Sequence, residues 1–193
     1  MAGCSTTYGI GVELTERYAN IVADALNLPL SLLACSGASN TWAADQILRS
    51  NVNPGDTVIM GLTTYGRAPI IHNNQLIHLA PNTFTILSNL PSDVTPDYLL
   101  SDTRLYESLT SIKQVNNFCS KAGARLLLIG IHANIEISAV LANDPNYIMF
   151  HGKYGTNFND GWLDFGNDNL HPGPKTHQMY ANLILEKLKE LES

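Results

Sequence analysis

The sequence predicts a single α/β domain, a three-layer α/β/α sandwich around a mostly parallel sheet of about five strands. Segments with the spacing of amphipathic helices alternate with short apolar runs. These runs are continuous, which is typical of strands that are covered by helices on both faces. The chain has 193 residues, 45% of them hydrophobic, and no repeat or linker divides it. Residues 1–193 are therefore predicted to share one core.

A local sequence pattern predicts each helix and each strand. The helices carry apolar residues on one face, such as Tyr18, Val22 and Leu26 in the first of them. In chain order, the predicted helices are 13–26, 40–49, 105–123 and a C-terminal helix around 180–191. The predicted strands are short apolar runs at 30–34, 57–60, 125–131 and 147–150. The second helix has Asn40 or Thr41 as its predicted cap, and the third ends near Gly123.

Two segments interrupt this alternation. Residues 66–94 contain strand-like pieces on either side of an Asn73-Asn74 turn, which predicts a hairpin inserted near the mouth of a site. Residues 151–169 are rich in Gly, Asn and Asp and are predicted to be a loop.

Several polar or small residues follow predicted strands closely. They are Ser5, Gly37, Thr63 and His132. In a parallel sheet the carboxyl ends of the strands meet at one edge, and ligand sites lie there. We therefore expect these residues to lie near one another.

Composition excludes several classes of function. Charged residues make up 15% of the chain and the formal net charge is −6, which argues against nucleic acid or an anionic membrane surface as a partner. No apolar run is long enough to span a bilayer, and no secretory leader is visible, so a cytoplasmic location is the default expectation. The three cysteines, Cys4, Cys35 and Cys119, are predicted to be reduced and buried.

Near its start the chain reads Gly3-Cys4-Ser5-Thr6-Thr7-Tyr8-Gly9. Ser5 is either a nucleophile or part of a turn. A nucleophilic serine needs a base, a group that orients the base, and donors for an oxyanion.

Near its end the chain reads Asp168-Asn169-Leu170-His171-Pro172-Gly173-Pro174, just ahead of a helix whose start is marked by proline. In such a turn the Asp168 carboxylate can fold back onto Nδ1 of His171 and leave Nε2 free to take a proton. The alternative is an Asp168 N-cap beside an exposed loop histidine.

Taken together, the two ends resemble those of the SGNH hydrolases, the GDSL-like esterases and lipases. "GCSTTYG" is similar to their first block, "CSGASN" at 35–40 to the second, and "DNLHPGP" to the last, while "GLTTYGR" at 61–67 stands where the third block falls. The resemblance implies an α/β/α domain with a flavodoxin-like strand order. It also implies a Ser5–His171–Asp168 triad, with oxyanion donors at Ser5, Gly37 and Thr63.

Two features depart from the family pattern. The third block normally reads Gly-x-Asn-Asp, with the Asn side chain as an oxyanion donor, whereas this chain has Thr63 at that position. Asn40 is a second candidate donor, unless it caps a helix. The other departure is the first strand, because only Met1 and Ala2 precede Gly3.

Other residues are candidates for substrate contact, namely Tyr8, Arg67 and Trp162. His177 is expected on the helix surface or behind the catalytic residues. The remaining histidines lack the spacing of metal ligands, and the Gly9–Gly11 stretch lacks the rest of any nucleotide fingerprint. The sequence therefore predicts no metal and no cofactor.

Three functions remain open from the sequence. The first is a serine ester hydrolase that acts on a short-chain ester or on a carbohydrate O-acetyl ester, an expectation that rests on the resemblance. The second is an inactive relative that binds glycan, which Thr63 and the short first strand favour. The third is a nucleotide or flavin binder, which only the fold class supports.

Overall fold

The computed structural model describes residues 1–72, 74–80, 96–131, 135–149 and 162–192. Its main sheet has five parallel strands in the order β2-β1-β3-β6-β7. These strands are β1 (Ala2–Gly3), β2 (Leu33–Ala34), β3 (Thr57–Leu62), β6 (Arg125–Gly130) and β7 (Tyr147–Met149). With the separate hairpin of β4 (Ala68–His72) and β5 (Gln75–Leu79) set aside, the order is the flavodoxin-like one, in which the first strand lies inside the sheet.

Helices cover both faces of this sheet. They are α1 (Ser5–Tyr8), α2 (Tyr18–Leu26), α3 (Asn40–Arg49), α4 (Pro96–Leu99), α5 (Asp102–Ala122), α6 (Ile135–Leu141) and α7 (Pro174–Glu190). One apolar cluster joins the sheet to α3, α5 and α6, and a second joins it to α2 and α7. The predicted α/β/α sandwich is confirmed.

Strands β3 and β6 are apolar at successive positions because helices cover both faces of the sheet, as the sequence predicts. In β3, Met60 and Leu62 belong to the first cluster, while Ile59 belongs to the second. In β6, Leu128 belongs to the first cluster and Leu127 to the second. Because successive side chains point to opposite faces, a strand covered on both faces has to be apolar at every position.

Several predicted boundaries shift. The helix predicted over 13–26 is broken at Arg17, which separates a short 3₁₀ turn, Leu14–Glu16, from α2. The strand predicted over 30–34 is only two residues long, and α6 was not predicted at all. The end of α5 agrees with the prediction, because Gly123 adopts a left-handed conformation there (φ 70°).

The predicted hairpin forms, with β4 (Ala68–His72) antiparallel to β5 (Gln75–Leu79) in a sheet of its own. Ala68 and Leu79 at its base pack on Leu99. Residues 81–95 lie outside the described part of the chain, and the interpretation of 66–94 as an insertion stays a prediction.

The first strand is as short as the sequence suggested. Ala2 pairs with Leu33 on one side and with Met60 on the other, whereas β3 begins three residues earlier, at Thr57. A cavity of about 500 Å³ lies in this region, at the end of the sheet opposite Ser5, with Met1, Leu33, Thr57 and Val58 in its lining. Burial lowers the pKa of the Met1 amino group to about 6.

The sequence also makes predictions about the cysteines and about membrane-spanning helices. All three cysteines are unpaired, as predicted; Cys4 and Cys119 are buried, but Cys35 is only partly so. Among the helices that the structure describes, none has the length and apolar character needed to cross a bilayer.

Candidate active site

Ser5 lies at the carboxyl end of β1, an interior strand of the sheet, because it is the first residue of α1 and α1 begins two residues after β1. The turn between them is tight. A Cβ on Gly3 would overlap the side chain of Thr7, so only glycine fits there. Ser5 itself is 5% exposed, and Gly9 ends α1 in a left-handed conformation (φ 83°).

Asp168 and His171 are paired. The Asp168 Oδ2 atom lies 2.5 Å from Nδ1 of His171, and Oδ1 accepts hydrogen bonds from the backbone N–H groups of Leu170 and His171. Burial acts to raise the pKa of the Asp168 carboxyl, but the hydrogen bonds from Leu170 and His171 outweigh it, so the pKa is lowered. A carboxylate held ionised at Nδ1 leaves Nε2 of the imidazole as the proton acceptor.

The alternative, in which Asp168 caps the last helix, is wrong. The N-cap position of α7 is Gly173, and the carboxylate that binds its first turn belongs to Asp164. Asp164 accepts hydrogen bonds from the N–H groups of Lys175 and Thr176, both at 3.0 Å. Asp168 is therefore free to orient His171.

The turn that carries this pair packs against the segment that follows Ser5. The N–H of Asn167 donates to the carbonyl oxygen of Gly11 at 2.8 Å, and a Cβ on Gly11 would lie 2.8 Å from Oδ1 of Asp168. Ile10 in turn donates to the carbonyl oxygen of Ser5. In the described part of the chain, however, Ser5 Oγ and His171 Nε2 are not joined by a hydrogen bond. Hydrogen bonds of this kind are often long before substrate binds.

Thr63 and Gly37 follow strands β3 and β2, on either side of β1. Thr63 is 1% exposed, and its hydroxyl has no hydrogen-bond partner among the described residues. Gly37 has a left-handed conformation (φ 74°), and a Cβ there would lie 3.2 Å from Cβ of His78 on the hairpin. The hairpin thus packs directly on the loop that contains Gly37.

The prediction that Asn40 caps α3 is wrong, because the cap is Ser39, whose hydroxyl accepts from the N–H of Trp42. The Asn40 side chain instead binds the backbone of Thr63. Its Oδ1 accepts from Thr63 N–H at 2.8 Å and its Nδ2 donates to Thr63 C=O at 2.9 Å. Asn40 therefore fixes the position of Thr63.

The three candidate residues for substrate contact each have different neighbours. Tyr8 is 48% exposed, and the guanidinium of Arg17 lies 5.4 Å above its ring. The Arg67 side chain donates to the carbonyl oxygen of Ala38, at 3.5 Å. Trp162 packs edge-on against Phe165. His132 and most of the loop predicted over 151–169 lie outside the described residues.

For His177, the expectation of a position on the helix surface is wrong, while the alternative of a position behind the catalytic residues stays a prediction. It is fully buried rather than on the helix surface, its ring stacks on Tyr18 at 5.8 Å, and its Nδ1 accepts from the backbone N–H of Tyr18. The hydroxyl of Tyr18 donates to Thr7 Oγ1 in α1, so α7, α2 and α1 are connected through these side chains. A signal was available, since His177 shares the helical face of Tyr180, Ala181 and Ile184.

His177 should make the fold sensitive to acid. Burial lowers its pKa to about 4, with the Arg17 and His171 charges acting in the same direction and Asp164 opposing them. The unfolded chain takes up this proton below about pH 6.5, so stability is complete above that pH and is lost as the pH falls toward 4, by on the order of 3 kcal/mol.

Urea unfolding at pH 7 and pH 4.5 measures this loss. The His177→Asn variant keeps an acceptor near the Tyr18 N–H but does not titrate, so its free energy of unfolding should change less between the two pH values than that of the wild type. Parallel changes in the two proteins would show that another group is responsible.

Neither a family model nor a curated protein sequence matches the chain. Solved structures do match it by fold, among them three that each cover nearly the whole chain. A carbohydrate esterase whose active site displays divergent catalytic and non-catalytic binding functions covers 97% of this chain with a TM-score of 0.56 and 15% identity. A family 2 carbohydrate esterase with a carbohydrate-binding domain, from Corynascus thermopiles (Myceliophthora fergusii), covers 97% with a TM-score of 0.56 and 14% identity.

The third match is the acetyl xylan esterase Est2A from the rumen bacterium Butyrivibrio proteoclasticus, which covers 98% of the chain with a TM-score of 0.54 and 15% identity. This chain spans between 62% and 66% of the length of these three proteins. At this level of identity the likeness concerns architecture, and it agrees with the strand order described above. The chain therefore has a three-layer α/β/α fold, which it shares with these carbohydrate esterases.

Proposed function

We propose that this protein is a serine ester hydrolase of the SGNH type. The observation that carries the proposal is the Asp168–His171 pair, with its 2.5 Å contact, in a turn that packs on the segment directly after Ser5. Acyl transfer requires a nucleophile and a base with a fixed orienting carboxylate, and Ser5 at the carboxyl end of β1 and the Asp168–His171 pair would supply them.

In the proposed reaction, Ser5 Oγ attacks the carbonyl carbon of an ester while Nε2 of His171 takes the serine proton. The tetrahedral intermediate collapses, the bond to the alcohol oxygen breaks, and His171 returns the proton to the leaving alcohol. Water then attacks the acyl-enzyme by the same route and releases the acid. Asp168 holds the imidazole in the useful tautomer and stabilises its charged form.

The proposed oxyanion donors are the backbone N–H groups of Ser5 and Gly37 and the hydroxyl of Thr63. The geometry of Thr63 supports its role, since its hydroxyl has no other partner in the described part of the chain and Asn40 fixes its backbone. A preorganised donor is effective because nothing has to rearrange when charge develops on the substrate.

A small acyl group, and in particular an acetyl group on a carbohydrate, is the substrate class we propose. Its support is the fold shared with carbohydrate esterases and an acetyl xylan esterase, together with exposed aromatic rings such as Tyr8 near Ser5. Aromatic rings provide faces on which sugars pack.

Thr63→Val tests the hydroxyl with little change of shape. We expect kcat for ester cleavage to fall about ten- to a hundredfold, as for the loss of one oxyanion donor. The free energy of unfolding should stay the same or rise, because the buried hydroxyl has no partner to lose.

Thr64→Val is the matched control, since the Thr64 hydroxyl accepts from the N–H of Gly66 at 3.1 Å. That variant should lose about 1 kcal/mol of stability and little activity. If Thr63→Val keeps full activity, Thr63 is not an oxyanion donor.

The class of function is tested on the wild-type protein with 4-nitrophenyl acetate and with acetylated xylose, between about pH 5 and pH 9. Ester cleavage that depends on Ser5 supports the proposal. If no such cleavage occurs at any pH, the protein is a glycan-binding relative and not an esterase.

A further inference from the structure

We propose that Arg17 forms an anion subsite beside Tyr8, which binds a carboxylate of the substrate, so that the preferred ester is one that carries a negative charge. This inference deepens the proposed esterase function and rests on it. It starts from a buried arginine that has no anionic partner.

Arg17 is 9% exposed, and its Nε is fully buried without an acceptor. Its guanidinium makes neither a hydrogen bond nor an ion pair in the described part of the chain, although its backbone binds Leu14, Asn20 and Ile21 as the cap of α2. A buried charge is costly unless it is paired. The position is therefore one where an anion from outside the chain would be stabilising.

The side chain is held in place and its terminal nitrogens are accessible. Its aliphatic part lies along Gly9, where a Cβ would come 2.7 Å from Nε of Arg17, and its guanidinium lies over the ring of Tyr8. Of the three guanidinium nitrogens of Arg17, Nε alone is buried without a partner, so the two terminal nitrogens reach solvent. A planar guanidinium with two free N–H edges matches the geometry of a carboxylate.

Within the described residues, no carboxylate lies at ion-pair distance from the Arg17 guanidinium. The carboxylates of the adjacent turn are engaged elsewhere, Asp164 by the first turn of α7 and Asp168 by His171. His177, which senses the Arg17 charge, is neutral at pH 7 because burial lowers its pKa to about 4.

The position of Tyr8 in α1 relates the Arg17 subsite to Ser5. Tyr8 lies three residues after Ser5 in α1, so their side chains leave the helix on the same side, roughly 5–6 Å apart at Cβ. The guanidinium lies 5.4 Å from the Tyr8 ring. The subsite is therefore placed on the side of α1 that carries Ser5, and an O-acetylated uronic acid carries a carboxylate and an ester on one sugar ring.

The kinetic test compares two substrates that differ only in the charge, an O-acetylated methyl glucoside and the corresponding O-acetylated methyl glucuronide. In the wild type we expect kcat/KM to favour the glucuronide at least tenfold. Arg17→Gln should reduce that ratio about tenfold, mainly through KM, and Arg17→Lys should retain part of it. Arg49→Gln, at an exposed arginine already paired with Asp45, should leave the ratio unchanged.

A second pair of esters, mono-4-nitrophenyl succinate and 4-nitrophenyl butyrate, locates the anion. A preference for the succinate that depends on Arg17, in place of one for the glucuronide, would put the carboxylate on the acyl side. The subsite is refuted if Arg17→Gln lowers the rates for charged and neutral esters in the same proportion.

Calorimetric binding of methyl glucuronide to the wild type and to Arg17→Gln separates this inference from the esterase proposal. Binding that is weakened tenfold by Arg17→Gln, in a protein that cleaves no ester, supports the subsite and refutes the esterase. Cleavage without any dependence on Arg17 refutes the subsite alone. If the protein neither binds the glucuronide nor prefers a charged ester, the subsite is refuted.

Discussion

Replacing Ser5 with alanine should lower kcat for the cleavage of 4-nitrophenyl acetate by roughly four to six orders of magnitude, the effect of losing the nucleophile from a triad. The variant should fold normally. Ser5 is buried, but its side chain makes no hydrogen bond in the described part of the chain, so alanine removes no native contact of that kind. Burst and steady-state kinetics on purified protein measure the loss.

Cys4→Ala is the control for this prediction. Cys4 precedes Ser5, is 1% exposed and carries a thiol, which is the strongest competing nucleophile next to Ser5. Its replacement should leave the rate within a few fold of the wild type. A rate that is lost in Cys4→Ala and kept in Ser5→Ala would assign the chemistry to the thiol.

Asp168→Asn should lower kcat by about 10⁴-fold while the protein stays folded. An amide at this position donates to Nδ1 and so stabilises the tautomer in which Nε2 carries the proton and cannot accept another. The backbone hydrogen bonds from Leu170 and His171 end on Oδ1, which the asparagine retains. The effect should therefore appear in the rate and not in the free energy of unfolding.

Asp164→Asn is the matched control in the same turn. Its carboxylate binds the first turn of α7 through both oxygens, so the amide should lose about 1 kcal/mol of stability and little activity. Equal losses of rate in the two variants would mean that Asp168 only stabilises the turn.

The sequence predicted the parts of this site that depend on neighbours along the chain. The Asp168–His171 pair is three residues apart, and its contact follows from one turn. The three-layer architecture could be predicted because continuous apolar runs indicate strands covered on both faces, whereas the strand order was implied by the family resemblance. The proline at the start of α7 marked that helix correctly.

Residues whose partners are distant in sequence could not be predicted in the same way. Asn40 looked like a helix cap, but its amide binds the backbone of Thr63, 23 residues further along. Arg17 falls within the helix predicted over 13–26, whereas it breaks that helix and is buried against Gly9 and Tyr8. Both depend on packing between loops at the strand ends, which carries no periodic signal.

A single experiment tests the central claim, that Ser5 is an activated nucleophile, most directly. The native protein is treated with a fluorophosphonate, digested, and the modified residue is located by mass spectrometry. We predict one phosphonyl group on Ser5, with no labelling in His171→Ala or after heat denaturation, because only an oriented base activates the hydroxyl. An unlabelled Ser5 in the native protein, or equal labelling with and without His171, would contradict the account.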